Sequence, residues 1–444
     1  MKTHRWLLFT LGASLLGSIV WAQDTTLRDT VRALADREYP SLFELYRHFH
    51  AHPELSLNEE KTSARLAEEL RRAGYEVTER VGGWGVVAVL KNGAGPTVLV
   101  RADMDALPVR EQTGLPYAST VTARDSAGNE VGVMHACGHD IHMTSLVGTA
   151  RALAQLRTHW AGTLILIGQP AEEAGGGAAR MLADGLFTRF PRPDFCLALH
   201  DNAEMPAGQL GYTPGFSTAN VDSVDITVRG LGGHGAYPHR TKDPVVLAAQ
   251  IVLALQTIVS REIEAGDPAV VTVGSIQGGT KHNIIPDEVK LQVTVRSHTD
   301  TARQQVLAAI PRIVRGQALA AGLPEDRMPL VNIHQEYTPA VYNDPELAER
   351  VAGVFRTHFG ETNVIRRLPR MGGEDFSEYG RTAERVPICM FNLGAVAPEV
   401  YAASQRTGQS LPGLHSPRFA PAPEPTLKTG IMATTLVVLE LMGR

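Results

Sequence analysis

Cysteine is scarce: three residues in 444, at Cys137, Cys196 and Cys389. A disulfide scaffold needs a high cysteine density in a short chain, so that class is excluded. An odd count leaves at least one thiol free, bound to metal or paired between chains. Aromatic residues are few, at 6%, and no sign of charge dominates, with Lys+Arg 42 against Asp+Glu 47 and a formal net charge of −5. That mild acidity gives no reason to expect nucleic acid or an anionic membrane as partner. No glycine period and no internal repeat is visible, which removes a collagen-like chain. What is present in quantity is apolar material, 43% hydrophobic against 20% charged. That is too apolar for disorder, and the length suggests two domains or one with an insertion.

One long apolar run stands at the start. Met1–Ala22 has a basic opening in Lys2 and Arg5, an apolar stretch from Trp6 to Val20, and Val20-Trp21-Ala22 at a cleavage position. It reads as a signal peptide, with the mature chain beginning near Gln23 and placed in the periplasm or outside the cell. No other segment reads as long and apolar enough to span a bilayer, so no membrane partner is expected after cleavage.

From Pro40 to Leu210, short β-rich runs alternate with helical patterns. Gly85–Leu90, Thr97–Val100, Thr163–Ile167 and Phe195–Leu199 read as buried strands of a mostly parallel sheet. Glu59–Ala73 and Met143–Leu156 read as helices, the first closed by Gly74. Beyond Pro214 the order becomes strand Asp222–Arg229, helix from Pro244 capped by Asp243, strands Ala269–Ile276 and Val289–Arg296, helix Thr301–Ala321 interrupted at Pro311, and strand Met328–Tyr337. That is a ferredoxin-like βαββαβ segment inserted in an α/β layered domain. The expected division is residues 1–22 signal, 23–214 first catalytic part, 215–337 insert and 338–444 second catalytic part. The last part carries a helix at Pro345–Phe359, a strand at Pro387–Leu393 and a helix near Pro425–Leu441.

Polar clusters follow the apolar strands: Arg101–Asp105, Gln169–Glu173 and His200-Asp201. Ligand crevices of open α/β sheets lie outside the carboxyl ends of the strands, so these clusters should converge. Met134–His142 adds Cys137, His139 and further imidazoles on a loop before a helix. Thiol, imidazole and carboxylate together suit zinc or another transition metal better than calcium or magnesium. In Glu172-Glu173 neighbouring side chains diverge, so one carboxylate can bind metal while the other acts as base. Glu59-Glu60 and Glu68-Glu69 read instead as ordinary solvated acidic pairs, and Cys196 and Cys389 as apolar strand residues.

Seven segments in order, RADMDAL (Arg101–Leu107), MHACGHDIHM (Met134–Met143), QPAEEAGGGA (Gln169–Ala178), GGHGAYPH (Gly232–His239), NIIPDE (Asn283–Glu288), MGGEDF (Met371–Phe376) and LHSPRF (Leu414–Phe419), resemble the M20 metallopeptidase family. The branch resembled is that of aminoacylases, hippurate hydrolases and auxin-conjugate hydrolases, and His50–Ser56 is similar to it as well. The resemblance implies a zinc-exopeptidase-like α/β domain with a βαββαβ lid that often dimerises, hence a homo-oligomer. It implies two divalent ions per subunit, zinc first with manganese or cobalt possible, held by Cys137, His139, Glu173, His200 and His415, with the Cys137 thiolate between them. Glu172 is implied as general base and acid, Asp105 as orienter of a ligand imidazole and His234 as oxyanion donor. Asn283 and Arg296 are implied as holders of a substrate carboxylate, for which arginine's planar fork is suited. His135, His142, His50 and His52 are supporting candidates, and Glu374 and Asp375 match a motif without a secure role. Two departures stand out: Gly235 where alanine is usual, and Asp201-Asn202-Ala203 on an expected pocket wall.

The implied reaction is hydrolysis of the amide bond of an N-acyl amino acid, with an aromatic group on either side in keeping with the branch, or of a short peptide. The alternatives are a dipeptidase or carboxypeptidase of the same family, a metal-independent cysteine hydrolase on Cys137 and His139, and a binding protein that has lost catalysis.

Overall fold

The computed structural model describes residues 11–125 and 127–443. The opening ten residues of the expected signal peptide, including Lys2 and Arg5, lie outside them.

Along the chain, helices α1 (Leu11–Ala51) and α2 (Glu60–Arg72) lead into strands β1 (Glu76–Val81), β2 (Gly85–Asn92) and β3 (Thr97–Asp103). Helix α3 (His139–Gln155) and strands β4 (Gly162–Gln169), β5 (Phe195–Pro206) and β6 (Leu210–Tyr212) follow. Next come β7 (Asn220–Arg229), α4 (Pro244–Thr257), β8 (Ala269–Gly278), β9 (Glu288–Ser297), α5 (Asp300–Ala320) and β10 (Leu330–Ile333). The chain closes with α6 (Pro345–Phe359), β11 (Val364–Arg366), β12 (Ile388–Val396) and α7 (Pro423–Met442). These elements form two compact units. The first takes the chain up to Pro214, Asn343–Arg367 and Tyr379 to the C-terminus; the second takes Gly215–Tyr342 and Leu368–Glu378.

In the first unit eight strands form one sheet in the order β1-β2-β4-β3-β5-β12-β6-β11. β3 runs parallel to β4 and β5, and β5 parallel to β12. β2 departs from expectation: it pairs antiparallel with both β1 and β4. The cause is local: Gly82-Gly83 turns β2 back on β1, and only Gly93–Pro96 separate β2 from β3, so β2 runs opposite to β3 and hence to β4, which is parallel to β3. β1 (EVTERV) was not anticipated, because an edge strand with charged residues shows no apolar run. Alternation sorts the central strands: Val98 and Val100, Leu164 and Leu166, and Leu197 and Leu199 join one core with Leu42 and Tyr46 of α1, Val147 of α3 and Ile431 of α7. Each such buried side chain contributes roughly 1.5–3 kcal/mol. In α2 Leu66 and Leu70 face that core. The acidic pairs differ from the solvated reading. Glu60 and Glu68 are exposed, but Glu59 and Glu69 are buried, because a helix points successive residues to different sides.

The second unit has the sheet order β8-β9-β7-β10, all pairs antiparallel, with α4 and α5 as the two connections. This is the ferredoxin-like βαββαβ topology. Asp243 caps α4, its carboxylate accepting from Val245 N at 2.8 Å. α5 runs unbroken through Pro311, which is on the exposed side. Two readings are corrected here. Pro244–Glu262 is long and apolar enough to cross a membrane by length and composition. In the fold, Leu247, Ile251 and Leu255 enter the unit's core while Val246 and Leu253 stay exposed. The strand expected over Met328–Tyr337 is confined to Leu330–Ile333. The unit also takes in Leu368–Glu378, tied to it by Arg370 N to Ser217 O and Ala219 N to Gly372 O, both 2.9 Å.

Candidate metal centre

Register sets the stage. Asp103 at the end of β3 pairs with Gln169 at the end of β4, and Arg101 pairs with Ala198, two residues before His200 on β5. His200-Asp201 does not end its strand as expected, because pairing with Asn392 and Leu393 of β12 carries β5 onward. α3 begins at His139 and not at Met143, so His139, Asp140 and His142 lie on its first turn, not on the preceding loop. Gly138, at φ 78°, makes that entry, and a Cβ there would stand 2.0 Å from Asp201 Oδ2.

The resulting cluster is buried and held by directed hydrogen bonds. His139 Nδ1 donates to Asp105 O at 2.7 Å, leaving Nε2 buried with no hydrogen-bond partner. His200 Nδ1 donates to Asp201 O at 2.8 Å, and its Nε2 lies 3.7 Å from Cys137 Sγ. Glu173 Oε1 is likewise buried without a hydrogen-bond partner, 3.4 Å from His415 Nε2. Asp105 meets the His139 ring at Nδ1, through its carbonyl at 2.7 Å and its carboxylate Oδ1 at 3.5 Å, and so orients that imidazole. Its carboxylate accepts from Ser56 Oγ at 2.6 Å, Glu172 N at 3.1 Å and Glu173 N at 2.9 Å. Glu172 Oε2 stands 4.0 Å from His139 Nε2. Gly177 permits the turn after the pair, since a Cβ there would meet Pro170 O at 1.6 Å.

Two groups of ligand atoms, each within 4.8 Å of one another, share the thiol: Cys137, His139 and His200, and Cys137, Glu173 and His415. Together they comprise the five residues named as ligands from the sequence. Burial pushes the Cys137 thiol well up, and Glu173, Glu172, Asp201 and Asp103 reinforce it. A thiol among four carboxylates, with a lone imidazole nitrogen and a lone carboxylate oxygen turned to it, suits cations. The residues therefore fit divalent metal.

Sequence reasoning placed Asp103 and Asp201 in converging strand-end clusters but assigned neither a partner. His142 Nδ1 donates to Asp103 Oδ1 at 2.6 Å, while its Nε2 accepts from Asp201 N at 2.9 Å. Asp103 is also bonded by the buried Arg101. Asp201, Asn202 and Ala203 are all buried, Asp201 against His142 and Ala203 in an apolar cluster with Met134, Ala136, Ala395 and Phe419. The available signal was Asp103 ending an apolar strand two residues before Asp105. A cleft of about 450 Å³ opens beside Glu173, lined by the apolar Leu55, Leu57, Ala106, Leu107, Pro108 and Ala174 and by the polar Ser56, Asn58, Arg124 and Asp125.

His50 is buried between Asp140 Oδ2 at 2.7 Å and Glu111 Oε1 at 3.1 Å, whereas His52 is exposed. Burial would lower the imidazole, but the hydrogen bonds to Asp140 and Glu111 outweigh it and push His50 up to about 10. A raised folded value stabilises fully below the unfolded value of about 6.5 and is lost as pH rises through the folded one. The unfolding free energy from urea titration should therefore fall between about pH 7 and pH 10, by a few kcal/mol at most. A His50→Gln variant should flatten that slope; an unchanged slope would remove the assignment. His135, also buried, has neither ring nitrogen hydrogen-bonded, and burial lowers it to about 4.

In the second unit, His234 lies on a short ribbon in which Gly233 and His234 pair with Ile285 and Ile284. Gly235 N bonds Asn283 O at 2.9 Å, so His234 and Asn283 are neighbours, and a Cβ at Gly235 would be tight at 3.1 Å from Asn283. Ala236 N donates to His234 Nδ1 at 3.1 Å, which leaves the proton on Nε2. Arg296, on β9, is half-buried and has no carboxylate partner among the described residues; a Cβ at Gly373 would stand 3.6 Å from its Nη1. Glu374 is buried and accepts from Phe376 N, and Asp375 O accepts from Glu378 N.

Comparison with known proteins agrees with this centre. Residues 99–406 match Peptidase family M20/M25/M40. The chain belongs to peptidase family M20. Within this family it is 38% identical over 341 residues to the hippurate hydrolase of Campylobacter jejuni, covering 75% of this chain and 84% of that one. It is 34% identical over 422 residues to thermostable carboxypeptidase 1 of Saccharolobus solfataricus, covering 94% and 98%. Among crystal structures, the Bacillus subtilis YXEP protein, described as a dinuclear metal binding peptidase from the M20 family, superposes with a TM-score of 0.72 at 29% identity, covering 92% and 99%.

Proposed function

We propose that this M20 chain hydrolyses N-acyl amino acids to a carboxylic acid and a free amino acid, using two divalent ions. Zinc is the first choice, with manganese and cobalt suited to the same ligands. The observation that carries the reading is the sharing of Cys137 between two ligand groups that together hold the five expected ligands, with Glu172, grouped instead with His139 and Glu173, 4.0 Å from His139 Nε2. Divalent ions there would acidify a water and polarise the amide carbonyl. Glu172 takes the proton of the attacking water and returns it to the leaving amine. Asp105 holds Glu172 and Glu173 through their backbone N–H groups and sets His139 through its own carbonyl. His234 donates from Nε2 to the developing oxyanion. Asn283 and Arg296 take the substrate carboxylate, and the half-buried guanidinium with no acidic partner among the described residues supports that part.

The acyl group enters the cleft beside Glu173, whose wall is mostly apolar. N-benzoyl and indoleacetyl amino acids should therefore exceed N-acetyl ones by roughly tenfold or more in kcat/KM, at about 0.8 kcal/mol per buried methylene. A dipeptide preferred over every N-acyl substrate would favour the carboxypeptidase or dipeptidase reading that the Saccharolobus relative suggests. Chelation should abolish turnover, and added metal should restore it. A cysteine hydrolase would survive chelation, but a buried thiol raised by surrounding carboxylates is a poor nucleophile.

A homodimer forms through the second unit, where β8 is an edge strand with Ile276 exposed and α4 presents Val246 and Leu253. Leu253→Glu should convert it to monomer in light scattering. The chain is exported to the periplasm or beyond, and N-terminal sequencing of the exported protein should begin near Gln23.

A further inference from the structure

The turn carrying Glu172 and Glu173 is held by more than Asp105. Three successive amide N–H groups are each taken by a carboxylate oxygen: Glu172 and Glu173 by Asp105, and Ala171 by Glu59 Oε1 at 2.8 Å. Glu59 sits just before α2 and is fully buried. The same Oε1 accepts from Leu57 N at 2.9 Å. Leu57 and Ala171 are two of the five positive-φ residues other than glycine among the described residues, at φ 69° and 54°. One buried oxygen therefore closes two left-handed turns, one in the wall of the apolar cleft and one opening the turn with the base. Such conformations persist where surrounding bonds over-determine them. Oε2 is buried with no hydrogen-bond partner, so the side chain is not placed there by solvation.

We propose that Glu59 is a positioning residue for hydrolysis: it fixes the left-handed turn at Ala171, aims Glu172 at the attacking water, and ties the Leu57 wall of the cleft to that turn. The inference rests on the reading of Glu172 as base. A misaimed base slows the chemical step more than it weakens binding, because positioning errors near 1 Å can cost about 100-fold in rate.

The test compares Glu59→Gln, Glu59→Leu and Glu59→Asp on the metal-loaded enzyme with an N-benzoyl amino acid. Gln offers the same oxygen to both N–H groups and puts its NH2 where Oε2 has no partner, so it should keep kcat within about threefold. Leu fills the space without an acceptor, and Asp is one methylene too short; both should lower kcat about 10- to 100-fold with KM changed less than about threefold. Metal per chain should stay unchanged, because Asp105 still bonds Glu173 N. In a Glu172→Gln background, Glu59→Leu should cost nothing further. Should the Leu variant not fold, the Asp variant carries the same expectation. Wild-type kcat in a folded Leu or Asp variant overturns the role of Glu59 while leaving Glu172 in place, and a loss in KM or metal content alone also overturns it. Wild-type turnover by Glu172→Gln would instead overturn the reading beneath it.

Discussion

Glu172→Gln is expected to lower kcat by about 100- to 10,000-fold, the range for loss of a general acid–base group, with KM and metal content near wild type. Gln keeps the volume and the backbone bond from residue 172 N to Asp105 Oδ1, so the turn should stay in place. The ligand groups that share Cys137 draw on Glu173 and not on Glu172, so both should still fill. What disappears is the ability to take a proton from water and return it to the amine. Steady-state rates combined with metal analysis by mass spectrometry separate the two effects. Turnover within tenfold of wild type would end the assignment; loss of metal would make Glu172 a ligand.

Substitution of Cys137 should have the second large effect, and of a different kind. Its sulfur belongs to both ligand groups, whereas His415 belongs to one and His200 to the other. Cys137→Ala should therefore empty both sites after dialysis and lower kcat/KM by about 1,000-fold or more, as loss of metal assistance worth several kcal/mol implies. His415→Ala should retain roughly half the metal, because His139 and His200 remain with the thiol. Equal metal loss in the two variants would show that the sulfur does not bridge. Cys196 and Cys389 provide the control, since both are buried strand thiols outside these groups, and neither substitution should alter metal content.

Part of the centre was legible because Cys137, His139, Glu173 and His200 sit in short local patterns next to an apolar strand or a helix start, whereas His415, in an irregular loop, was implied only by the resemblance. Cys137 and His139 are two residues apart, and Glu172 and Glu173 are adjacent just after β4. The second unit was legible too, since alternation along β7 and β9 and the cap at Asp243 are local signals. The residues missed depend on what comes from elsewhere. Asp201 was placed at a strand-end crevice, but nothing in its own stretch announces that His142, 59 residues earlier, lies 3.2 Å from its carboxylate. Glu59 looked like half of a solvated pair until α2 turned it inward against Ala171, 112 residues away.

The sequence by itself determined the chemical inventory of this protein: thiol, imidazoles and paired carboxylates at strand ends, an α/β layer and a βαββαβ insertion. These follow from periodicity and residue type, which act over a few residues at a time. Only the tertiary structure decided that β2 runs antiparallel, that Leu368–Glu378 joins the second unit, and that Glu59 and Asp105 together hold three successive amides of one turn. Those are matters of which distant groups are brought within about 3 Å, the range in which hydrogen bonds form. That distance is set by packing of the whole chain and not by any stretch of it.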